Sequence, residues 1–77
     1  MAQLTISEVA RQAGVRTSTL RYYESIGLLP EPARISGRRH YDADVLQRLE
    51  IIRTAQQAGF TLAELRVLFD DVLGSAS

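Results

Sequence analysis

Apolar positions recur along the chain as four helical stripes, interrupted by one stretch that cannot be helical. Ile6, Val9, Ala10 and Ala13 keep the i, i+3, i+4, i+7 spacing of one helix face and predict a helix over about 6–13. Thr5-Ile6-Ser7-Glu8 at its start has the form of a capping box, and Gly14 suits the left-handed residue that closes such a helix. Leu20, Tyr23 and Ile26 or Leu28 form the stripe of a second helix, which starts at Thr17 or Ser18 and ends at Gly27. Val45, Leu46, Leu49, Ile52 and Ala55 predict a third helix over about 42–58, with Asp42 as its cap, Asp44 in its first turn and Gly59 after it. Leu62, Leu65, Leu68, Phe69, Val72 and Leu73 predict a fourth over about 61–73. Thr61 and Glu64 suggest a second capping box there, and Phe60 with Leu65 a hydrophobic staple. Met1 to Leu4 read as a short, frayed lead-in, and Gly74 to Ser77 as a fraying end.

The non-helical stretch begins at Leu28-Leu29-Pro30-Glu31-Pro32. Pro30 forces Leu29 out of the helical region, and the two leucines turn back toward the core. From 33 to 41, Ser36-Gly37 is a turn signal between the strand-like arms Arg34-Ile35 and His40-Tyr41. The predicted architecture is mainly α: a helix-turn-helix over about 5–27, a small two-stranded hairpin over about 33–41, and two scaffold helices. With Gly at the tight turn and a hairpin placed as a wing, it is a winged helix-turn-helix.

Composition narrows what this fold does. The 77 residues make one domain without repeat, linker or low-complexity tract, near the lower size limit for folding without staples. With no Cys and one His, disulfides and thiolate metal sites are excluded, and no metal or cofactor is expected. No apolar run approaches a membrane span, and the chain shows no signal-peptide pattern. A lone His, no phosphate-cradling Gly loop and little room for a pocket argue against an enzyme.

The net charge is zero, yet its distribution is polar. Residues 11–41 carry six Arg against two Glu, a net +4, while residues 42–77 carry three Arg against six acids, a net −3. Glu8 closes the balance. A basic half joined to an acidic scaffold can attract a polyanion while the whole stays neutral. All nine basic residues are Arg, which favours bidentate phosphate or guanine contacts, although a genome rich in G and C produces the same bias. On the second helix Arg16, Thr17, Ser18, Arg21 and Tyr22 fall off the apolar stripe, and all can donate hydrogen bonds. Arg34, Arg38 and Arg39 give the hairpin its basic surface.

ISEVARQAGVRTSTLRYYESIGLL, followed by GRRHYDADVLQRLEIIRTAQQAGFTLAELRVL, resembles the DNA-binding domain of the mercury-resistance-regulator (MerR) family over about residues 4–73. The landmarks are Thr19-Leu20-Arg21-Tyr22-Tyr23-Glu24, Gly27-Leu28-Leu29, Arg39-His40-Tyr41 and Gly59-Phe60-Thr61-Leu62. The resemblance implies a cytoplasmic bacterial transcription regulator whose second helix enters the major groove of promoter DNA and whose wing grips the backbone. It further implies homodimers on pseudo-palindromic elements that distort the promoter so that RNA polymerase can engage it.

Carried over by position, Arg21 and Tyr22 reach DNA from the second helix, Arg16, Thr17, Ser18 and Thr19 face the groove floor, and Arg38 and Arg39 contact phosphate. Tyr23 falls in the core at the junction with the wing, and Glu24 partners a nearby Arg and orients it. The chain departs from the family pattern in three places. Arg16 stands where a small N-cap is common, so that Thr17 is expected to cap instead. Ser18 stands where a basic residue is common, and His40 in the wing reads as a packing residue. The family's coiled-coil dimerisation helix and effector domain have no counterpart in these residues, so the expected state is a monomer. Two other roles fit the same features: a small excisionase-like architectural protein that bends DNA, and a module docking an acidic protein partner.

Overall fold

In the computed structural model, which describes residues 3–72, the order is β1 (Gln3–Thr5), α1 (Ile6–Ala13), α2 (Thr17–Ser25), β2 (Ala33–Ile35), β3 (Arg38–Asp42), α3 (Asp44–Gln57) and α4 (Leu62–Val72). All four expected helices form. Leu73 and the tail after it, like Met1 and Ala2, lie outside the described residues.

The lead-in corrects the expectation. Gln3–Thr5 is not frayed; it pairs antiparallel with β3, with Leu4 opposite Tyr41 and Thr5 opposite His40. The expected two-stranded hairpin forms from β2 and β3, and β1 extends it to a three-stranded sheet in the order β1-β3-β2. Three residues are too short to show an alternation, and their partner lies more than thirty positions away. The β2–β3 turn is as expected: Ser36 and Gly37 both have positive φ, 53° and 79°, the backbone of a two-residue hairpin loop.

Two helices start with the expected reciprocal caps. Thr5 N–H donates to Glu8 Oε1 at 2.8 Å while Glu8 N–H donates to Thr5 Oγ1 at 3.2 Å, and Thr61 with Glu64 repeats the pattern at 2.8 and 3.1 Å. The backbone hydrogen bond, and then the Thr hydroxyl, hold both carboxyls below the usual glutamate range. A carboxylate with a depressed folded pKa contributes stability above the ordinary glutamate range and loses it as pH falls through the folded value. The urea midpoint should thus fall below the glutamate range. In the Thr5→Ala, Thr61→Ala double variant that fall should be shallower; an unchanged pH profile would contradict the caps' contribution.

α3 is capped from Asp42 as expected: its Oδ1 accepts from Asp44 N–H at 3.0 Å, while Ala43 between them already has helical dihedrals. Of the two residues of the expected staple before α4, Leu65 is buried and Phe60 is 45% exposed.

The core joins every layer: Val9 and Ala10 of α1, Leu20 and Tyr23 of α2, Tyr41 of β3, Val45, Leu49 and Ile52 of α3, and Leu65 and Phe69 of α4. Leu28 and Leu29 turn into it as predicted, 0% and 3% exposed. Leu68, expected on the inner stripe, faces outward. Arg48 is a clamp. Its Nε donates to the Leu28 carbonyl at 3.0 Å, and its guanidinium lies 4.5 Å from the Phe69 ring centroid. Burial pulls its pKa below the ordinary value, against the opposing charge of Asp70, yet an arginine stays charged there. The clamp fixes the segment after α2 onto α3 and α4, and so sets where α2 ends. Glycine is favoured at position 27. Its φ is +79°, and a Cβ would sit 3.1 Å from Arg66 Nε.

Candidate nucleic-acid interface

α2 presents two unlike faces because its apolar residues occupy one side only. Leu20 and Tyr23 are buried, which confirms Tyr23 as core. Arg21 and Tyr22 lie three and four residues after Ser18, and Ser25 three and four residues after them, so the four share the outer face, all exposed, with Tyr22 at 54%. Thr17 and Thr19 are half-buried at its flanks, and Arg16 is exposed at the N-cap.

The start of α2 differs from those of α1 and α4. Arg16 holds the N-cap position without a side-chain hydrogen bond, and no acid lies in the first turn. Thr17 therefore does not take over the cap, contrary to expectation; it is already helical. Arg16 carbonyl closes the first turn by accepting from Thr19 N–H at 3.1 Å and Leu20 N–H at 3.2 Å. The amides of Thr17 and Ser18 have no protein partner among the described residues. Open first-turn amides at the positive end of the helix, among hydroxyls and Arg16, form a favourable setting for an anion.

On the wing, Arg38 and Arg39 part company. Successive strand residues point to opposite faces, so Arg39 and Tyr41 share a face and Arg38 takes the other. Arg38 is exposed beside the hairpin tip. Arg39 turns back toward α2, where its Nε donates to Glu24 Oε1 at 3.2 Å; the Tyr41 hydroxyl donates to Glu24 Oε2. Glu24 does partner an arginine as expected, and also a tyrosine that the sequence did not suggest. His40 is half-buried within the sheet, between Thr5 and Ala33 in the register.

A polar cleft separates α2 from the wing, lined by Arg21, Glu24, Ser25, Glu31, Arg34 and Arg39 among others. The residues selected from the sequence thus fall into three groups: Arg16 to Thr19 around the start of α2, Arg21, Tyr22 and Arg39 on or beside its outer face, and Arg38 at the wing tip. Ser25 and Arg34 were not selected. Ser25 lies one helical turn beyond Arg21, and its hydroxyl donates to the Tyr22 carbonyl at 2.6 Å. The four-residue step from Arg21 was the signal that could have found it. Arg34 was legible only as a wing charge, because its place beside Arg21 is set by chain folding.

The model of the MerR HTH family regulatory protein matches residues 4–72. The mercuric resistance operon regulatory protein of Bacillus cereus is 44% identical over 70 residues, which cover 90% of this chain and 50% of that protein. The HTH-type transcriptional regulator CueR of Yersinia pestis is 39% identical over 66 residues, 84% of this chain and 48% of that protein. Among solved structures, HiNmlR, described as a MerR family regulator lacking the sensor domain and bound to promoter DNA, superposes with a TM-score of 0.79. It is 28% identical, over 87% of this chain and 54% of that one. The transcription regulator PbrR691 from Ralstonia metallidurans, solved with lead(II), gives a TM-score of 0.78 at 46% identity, over 87% and 52% of the two chains. The chain spans about half the length of the relatives it matches. With the family model covering all but the ends, and with four helices and a small sheet in the family's arrangement, the chain belongs to the MerR HTH family of regulatory proteins.

Proposed function

We propose that this chain binds promoter DNA as the sequence-reading part of a bacterial transcription regulator. The observation that carries the reading is the outer face of α2: hydroxyls, guanidiniums and uncapped amides, with no acid in the first turn, on a helix whose other face is core. In this reading Arg16, Thr17, Ser18 and Thr19 meet the groove floor and adjacent phosphates, while Arg21 and Tyr22 reach the backbone and base edges. Arg38 and Arg39 contact flanking phosphates. The half from 11 to 41 supplies the positive field, and α3 and α4 are scaffold.

Relatives named as transcription regulators, and a neighbour solved on promoter DNA, support this reading over an architectural bending protein or a protein-docking module. They also support a non-enzymatic role, acting on cytoplasmic DNA. Among the described residues no helix is long and apolar enough to cross a membrane. Footprinting on the DNA upstream of the protein's own gene tests the proposal. It should reveal one protected pseudo-palindromic element; closely spaced direct repeats bound cooperatively would favour the architectural role instead.

A further inference from the structure

α2 has nine residues, fewer than the dozen or so at which a helix begins to persist alone, so its direction is set by what holds its ends. Its start has no side-chain cap, and its last turn has no basic residue to meet the closing carbonyls. The segment after it does that instead. Leu28 N–H and Leu29 N–H both donate to the Tyr23 carbonyl, at 2.8 and 3.3 Å. Leu28 is fully buried, so its own carbonyl cannot turn to water, and among the described residues only Arg48 Nε donates to it. Behind Arg48 stands the Phe69 ring of α4, and against Gly27 lies Arg66 of the same helix. The segment then runs through Pro30 and Pro32 into β2, and Arg48 shares a cleft with both prolines, Ala33 and Tyr41. One side chain of α3 thus holds the joint between α2 and the wing while belonging to neither.

Resting on the reading of the chain as a promoter binder, we propose that Arg48 is a positioning residue for base readout. Its one hydrogen bond to the Leu28 carbonyl fixes how α2 is set against the wing. Attraction to phosphates acts over roughly 10 Å, whereas a hydrogen bond to a base edge needs its donor placed to within about 0.5 Å. The bond therefore matters little to general affinity and much to the preference for one sequence. An arginine suits the task because its planar fork is held on two sides at once. The carbonyl holds Nε and the ring lies over the guanidinium, so the donor cannot swing away. Without that donor the Leu28 carbonyl is buried unpaired. The joint then relaxes toward another partner and carries the end of α2 with it.

Two substitutions of equal charge and nearly equal length isolate the bond. Arg48→Gln puts an amide nitrogen where Nε stood and keeps a donor there; Arg48→Met puts a methyl group there and keeps none. The measurement is the ratio of affinities for the upstream promoter DNA and for random duplex. It is taken on the intact protein, at a temperature where circular dichroism shows each variant folded. Both variants should bind random duplex alike, since both lose the same charge. Arg48→Met should lose roughly fivefold or more of the promoter preference, about the discrimination of one misread base pair, while Arg48→Gln keeps most of it. Phe69→Leu, which frees the fork but leaves the donor, should lose a smaller part. It decides the matter should Arg48→Met not fold, an unchanged ratio then counting against the role. Full preference in folded Arg48→Met, or equal losses in the two Arg48 variants, would overturn the positioning role and leave the DNA-binding reading intact. A wild-type protein without promoter preference would overturn that reading, and the role with it.

Discussion

Leu20→Ala is expected to remove about 3–5 kcal/mol of folding stability, the range for truncating a fully buried leucine whose site cannot collapse. Leu20 is 0% exposed and belongs to the core cluster shared with α1, β3, α3 and α4. A domain of this size has roughly 3–5 kcal/mol from its single core, so this one change brings it to the edge of unfolding. DNA affinity should then fall in proportion to the unfolded fraction. Low temperature or a stabilising osmolyte should restore it, and the dependence on salt should keep its slope. Urea melts beside binding titrations check all three. A variant that melts like wild type would mean that α2 is not held by the core as described.

Arg21→Ala is expected to do the reverse, although it is the next residue. It is exposed and unpaired, so the urea midpoint should stay within about 0.5 kcal/mol of wild type, as for ordinary surface changes. Binding should weaken by about 1.5–3 kcal/mol, the range for a charge-assisted hydrogen bond. That is roughly 10- to 100-fold in Kd, for promoter and random duplex alike. The log–log salt slope should shrink by about 1, as one phosphate contact is lost. Retained affinity with an unchanged slope would remove Arg21 from the interface. The two variants together separate the helix's two faces: one change acts through folding, its neighbour through the ligand.

The contrast also explains how much the sequence could reveal. The helices were legible because each carries a stripe with matching start and stop residues; Thr5 and Glu8, Gly14, and Thr61 and Glu64 all act as their types suggest. The outer face of α2 was legible for the same reason, since whatever falls off a clear stripe is outside. What escaped was contact between distant segments. β1 takes its identity from β3, and Arg48 from the Leu28 carbonyl and the Phe69 ring. Likewise Arg34 acquires its meaning from Arg39 across the ladder and Arg21 across the cleft. No local pattern encodes such pairings. Leu68 erred in the other direction: an apolar residue near a stripe need not be covered, and it is exposed here.

In the proposed function, α2 and the wing read DNA through phosphates and base edges together. The most direct measurement is a salt-dependent binding titration of the protein on its own upstream promoter DNA and on random duplex. Three or four phosphates contacted per copy predict a log–log slope of about −3 to −4 per copy. The promoter should be preferred at every salt concentration. A slope near zero, or equal affinity for the two duplexes, would contradict the account.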